Sequence, residues 1–177
     1  MQQQISKYYY SARQRQTQPG GISVLSIAEQ KIAMANGGAQ DPATTLILAL
    51  GAQSVAVSYL RHQPPSASEL EQAIMVIEDA IAPARPRMLE GSVWFSADPA
   101  LRSLAQNLGL STQGAWQLGI DQVENSFQRL AAQAMGAPAP LGAKQLKPLL
   151  AAYLLILREL MHHMPIRAIH GLPPESA

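Results

Sequence analysis

Apolar residues recur along this chain at steps of three and four, the spacing that gathers side chains on one face of an α-helix. From Trp116 they continue through Ile120, Val123, Phe127, Leu130 and Ala134. Leu70, Ile74, Ile77 and Ile81 form a second stripe, and Leu146, Leu150, Tyr153, Leu157, Leu160 and Met164 a third, broadened by Leu149, Leu154 and Ile156. Weaker stripes run through Leu25, Ala28, Ile32 and Ala35 and through Leu101, Leu104, Ala105 and Leu108. The pattern predicts six helices, near residues 23–36, 42–61, 67–82, 99–108, 112–135 and 146–164.

Local signals agree with those boundaries. Asp41-Pro42 and Asp98-Pro99 each set a carboxylate before a proline, which suits a helix start because proline's missing amide costs nothing in the first turn. Ser66 followed by Glu69 has the spacing of a capping box. Gly37-Gly38, Gly109, Gly136 and Pro165 mark stops. Residues 83–97, with two prolines, a glycine and Val93-Trp94-Phe95, are the exception and suit a short extended segment.

These elements predict an all-α fold, a compact bundle of five or six helices over residues 21–170. A flexible polar tail is expected at 1–20, a proline-bearing linker at 137–143 and a loose tail at 171–177. The competing expectation is an α+β fold with a small sheet drawn from 44–60 and 91–97.

Composition narrows the functional classes. The chain has 177 residues, 47% of them hydrophobic and only 14% charged, with 13 Lys+Arg against 12 Asp+Glu. That length and apolar content support a core without staples, and the near balance of charge disfavours nucleic acid as a partner. There is no cysteine, so thiol catalysis, thiolate metal sites and disulfides are excluded and a reducing, cytoplasmic setting is expected. Pro42–Leu60 carries no charge, but Thr44, Thr45, Gln53, Ser54 and Ser58 dilute it, and a buried helix is expected there in place of a membrane span.

Two segments are motif-like. Leu101–Ser126 resembles a helix-turn-helix, with Ala105 at the close-packed position, Gly109 in the turn and Ser111 capping a second helix that carries Gln113, Trp116 and Gln117. The resemblance implies a DNA-binding regulator reading bases through Gln113 and Gln117. Against it, no Lys or Arg lies between Arg102 and Arg129 to neutralise phosphates. Near the C-terminus, Glu159 and His162 have the Glu-x-x-His spacing with which helical bundles hold metal; Glu71 and Glu78, seven apart on another helix, could supply further ligands, and a homodimer is needed to bring the second Glu-x-x-His copy. That reading is a metal-dependent helical-bundle enzyme.

No Gly-x-Ser-x-Gly elbow and no phosphate-cradling Gly-rich loop with a following Lys is present, and no residue stands out as a catalyst. The leading functional expectation is therefore a self-associating interaction module without catalytic activity and without a cofactor. Its partners would be a second copy of the chain, through Tyr153, Leu157, Leu160 and Met164, or another protein.

Overall fold

A computed structural model of the chain describes residues 1–16, 19–138 and 145–173. Its centre is a six-stranded mixed sheet, which corrects the expected all-α bundle. The strands are β1 (Ile22–Ile27), β2 (Ile32–Gly37), β3 (Thr44–Leu48), β4 (Val93–Ser96), β5 (Gln117–Gly119) and β6 (Ala168–Gly171), in the order β3-β2-β1-β4-β6-β5. β1, β2 and β3 form an antiparallel meander, with Ile27 opposite Ile32 at the first turn. β4 lies parallel to β1 and β6 parallel to β4, while β5 runs antiparallel along β6.

Among the described residues six α-helices accompany the sheet, α1 (Gln2–Arg15), α2 (Ala52–Tyr59), α3 (Ala67–Ile81), α4 (Pro99–Asn107), α5 (Ile120–Ala134) and α6 (Pro148–His163), and a 3-10 helix (Ala82–Arg87) follows α3. Among the described residues none is long and apolar enough to cross a membrane. The residues expected as a polar tail form α1, which packs on one face of the sheet through Ile5, Tyr8, Tyr9 and Ala12. Residues 139–143 of the expected linker and 174–177 of the expected tail lie outside the described residues, whereas Gly171 belongs to β6.

The predicted helix at 23–36 is a hairpin because its stripe is shared by two strands. β1 and β2 are buried at every position. Ile22, Val24, Ala33 and Ala35 face α1, while Leu25, Ile27, Ile32 and Met34 face the larger core on the other side. Strands covered on both faces lose the polar alternation that would betray them. The predicted helix at 42–61 divides into β3 and α2, and Asp41 starts no helix: its Oδ1 accepts the Tyr10 hydroxyl at 2.9 Å. The alternative sheet from 44–60 and 91–97 placed strands in the right segments, yet β3 pairs with β2 and β4 with β1 and β6.

α6 is the middle of the larger core, in contact with α2, α3, α4, α5 and β1. Ten of its residues are buried, which is why its apolar stripe is so wide. Tyr153, Leu157, Leu160 and Met164, expected at a subunit interface, are at most 6% exposed and lie inside this chain's own core. The Ser66 and Glu69 capping box starts α3 as the sequence indicates.

Candidate active site

The chain leaves β1 toward β2 on one side and returns by α2 and α3 to β4 on the other, so the sheet order reverses between β1 and β4. In open α/β sheets, ligands bind beyond the carboxyl ends of strands at such a switch point. Here the carboxyl ends of β1 and β4 are Ile27 and Ser96, and the segments that follow them are the Ala28–Lys31 turn and the Asp98-Pro99 entry to α4.

Asp98 ties these two strand ends together. It is 6% exposed and occupies the N-cap position of α4, but its side chain makes no cap bond. It turns toward β1 instead, where Oδ1 accepts the Ser26 hydroxyl at 2.9 Å and Oδ2 accepts the Ile27 amide at 2.7 Å. The Tyr153 hydroxyl, from α6, also donates to Oδ2 at 3.1 Å. Burial pushes the Asp98 carboxyl up to about 6, against the pull of the Ile27 amide and the Ser26, Tyr153 and Ser96 hydroxyls, which favour its charged form. Burial likewise raises the Tyr153 phenol well above its usual range, reinforced by the Asp98 charge.

The turn between β1 and β2 is fixed from a second direction. The Ala52 amide donates to the Ala28 carbonyl at 2.9 Å and the Gln53 amide to the Glu29 carbonyl at 2.8 Å. The first turn of α2 is thus capped by backbone carbonyls of the turn. Gly51 makes this docking possible, because a Cβ there would collide with the Ala28 and Glu29 carbonyl oxygens and the Gln30 amide. The Glu29 side chain is left exposed on a rigid support.

Beside this turn opens a cavity of about 570 Å³. Its walls are one face of α4 (Pro99, Ala100, Ser103, Asn107) and the start of α6 (Lys147, Leu149, Leu150, Tyr153), with Gln145 and Leu146 before it; Ile27, Ala28, Glu29 and Ala52 complete the lining. No side chain caps α4 or α6, and each begins with proline after an extended N-cap residue. Two positive helix ends therefore meet the same cavity, together with the Lys147 ammonium and the Glu29 carboxylate, in a lining that is otherwise largely apolar.

The residues singled out from sequence lie elsewhere. Gln113 is exposed in a bend and Gln117 begins β5, paired opposite His170, so the helix that follows α4, α5, carries neither glutamine expected on a recognition helix. Trp116 is half-buried beneath the Arg102 guanidinium, 5.5 Å from its ring centroid. Glu159 is buried and ion-paired to Arg158 Nη1 at 2.5 Å, while His162 Nε2 meets Glu124 Oε2 of α5 at 3.0 Å, so the proposed pair does not converge. Sequence reasoning missed Asp98, Glu29 and Lys147. Asp98-Pro99 was legible only as a helix start, and the available clue was that this start follows directly on Val93-Trp94-Phe95.

No family profile matches the sequence and no curated protein matches it. Solved structures do resemble the fold. A Ppx/GppA enzyme of Aquifex aeolicus superposes with a TM-score of 0.75 at 11% identity, over 96% of this chain and 59% of the other. An exopolyphosphatase-like protein gives 0.71 at 11% identity over 90% and 57%, and an exopolyphosphatase from Cytophaga hutchinsonii gives 0.69 at 11% identity over 93% and 57%. The chain thus spans less than two thirds of the structures it resembles. At such identity the likeness establishes the fold, an α/β domain of the kind on which these phosphatases are built. Together with the six-stranded sheet it overturns the expected non-catalytic helical module and its helical-bundle alternative, since the chain has no helical bundle for either to rest on.

Proposed function

We propose that the chain is a phosphatase-type domain that binds a phosphoryl group in the cavity beyond β1 and β4 and hydrolyses its ester or anhydride bond. The observation that carries this reading is the convergence of two uncapped helix starts and Lys147 on one cavity at the sheet's switch point. Support comes also from the structural neighbours, which are described as Ppx/GppA and exopolyphosphatase proteins.

In this reading the phosphoryl oxygens lie against the α4 and α6 ends and Lys147. Glu29 takes a proton from the attacking water as its oxygen bonds to phosphorus, the bond to the leaving oxygen breaks, and solvent protonates that oxygen. Asp98 makes no contact with substrate; it fixes the turn that presents Glu29. The apolar remainder, with Ile27, Leu146, Leu149 and Leu150, suits an apolar body attached to the phosphoryl group.

The test is release of inorganic phosphate from polyphosphate, nucleoside polyphosphates and an aryl phosphate, with magnesium present. The expected result is turnover of at least one of them, reduced roughly 10²-fold or more in Glu29→Gln, in line with the loss of a general base. A purified protein that neither releases phosphate from any of these nor binds phosphate would overturn the reading.

A further inference from the structure

At the far end of α6 from the cavity, Glu78 of α3 and Glu159 and His163 of α6 each present one donor atom, and the three donors lie within 4.8 Å of one another. We propose that this trio is a binding site for one divalent transition-metal ion, zinc in the first instance, which clasps the ends of α3 and α6.

The geometry follows from helix phase. Glu159 and His163 stand four residues apart and share one face of α6, whereas His162 is rotated toward α5 and engaged by Glu124. α3 packs directly on α6 and brings Glu78 to the same face, with His163 Nε2 already 3.5 Å from Glu78 Oε1. Donors bound to one tetrahedral zinc at roughly 2.0–2.2 Å stand about 3.4 Å apart. That pair is therefore at ligand spacing without rearrangement, and only the third donor must close in.

Burial and charge point the same way. Glu159 is 2% exposed, and among the described residues its carboxylate has a single partner, Arg158, at Oε1. Arg158 is shared between the Glu124 and Glu159 carboxylates and stacked 4.1 Å over the Phe127 ring, while Glu78 has His163 as its ion-pair partner. A divalent cation between Glu78 and Glu159 neutralises both carboxylates at once. Two carboxylate oxygens and one imidazole nitrogen form a donor set that zinc accepts, with a fourth position for water.

A helix rises 1.5 Å per residue, so Glu159 lies about 18 Å along α6 from Lys147 and the ion has no part in the cavity's chemistry. Its consequence is structural: metal bound to the folded state alone raises stability.

The test uses the full chain stripped with EDTA and titrated with zinc against a chromogenic chelator, with thermal melts and the visible spectrum of the cobalt(II) form as further readouts. Expected are one equivalent of zinc, a raised Tm, and at least tenfold weaker binding with loss of the cobalt bands in Glu78→Gln and His163→Gln. Both substitutions fall on partly exposed side chains and preserve the core. His162→Gln is expected to bind as the parent does. Absence of saturable binding, parental affinity in both Glu78→Gln and His163→Gln, or an equal loss in His162→Gln would overturn the proposal.

Discussion

Two buried carboxylates respond to pH in opposite senses, and each gives a measurable signature. Burial raises Glu69, but the Ser66 amide, His62 and the Arg61 amide more than offset it and bring its carboxyl down to about 2. A depressed folded value means that Glu69 contributes stability above its ordinary value near 4.5, lost as pH falls toward 2. Asp98 is raised from 3.8 to about 6, so the folded state holds its proton more tightly and stability from this group declines as pH rises between those values. In denaturant melts from pH 3 to 7, Glu69→Gln is expected to flatten the acid limb and to cost about 1–3 kcal/mol at neutral pH through lost hydrogen bonds. Asp98→Asn is expected to remove the decline between about 4 and 6. An unchanged profile in either variant would contradict its role. Neither behaviour was legible in the sequence: Glu69 read as half of a capping box and Asp98 as a helix start, because a carboxylate's partners across the fold leave no local pattern.

At the scale of elements, legibility followed burial geometry. α3, α4 and α6 rest against the core on one principal side or sit at its centre, and their stripes named them. α5 was recognised but drawn too long, because Trp116, four residues before Ile120, extended its stripe across β5. β1 and β2 were hidden by two-sided burial and by Ala33 and Ala35, which bring the strand close to α1 and favour helix when read alone. The same logic of close approach isolates one test. Gly51→Ala is expected to push α2 off the β1–β2 turn, lowering stability by about 1–3 kcal/mol and reducing phosphate release along with the Glu29 variant, since both disturb the same turn. A melt and an activity equal to the parent's would show that the turn accommodates the added methyl.

For the molecule as a whole, three layers make the sheet depend on helices of both faces. α1 covers Ile22, Val24, Ala33, Ala35 and Phe95. Deleting residues 1–16 is expected to uncover that patch and produce a protein that binds the dye ANS and aggregates on concentration; a truncated chain that keeps the parent's size distribution and stays dye-free would show the face to be self-sufficient. The candidate cavity was beyond sequence reasoning for a related reason, since Glu29, Asp98 and Lys147 come from three distant segments that only the sheet order unites. That order also governs how the molecule assembles. The β1–β2–β3 meander joins neighbours in the chain, but Trp94 must find Ile169 and Val24 must find Phe95 before the parallel half exists. Closing such long loops ahead of any reward slows folding. The early meander thus waits with one flank of β1 unpaired, and the segment ending in Gly171 acts as the latch that completes the sheet.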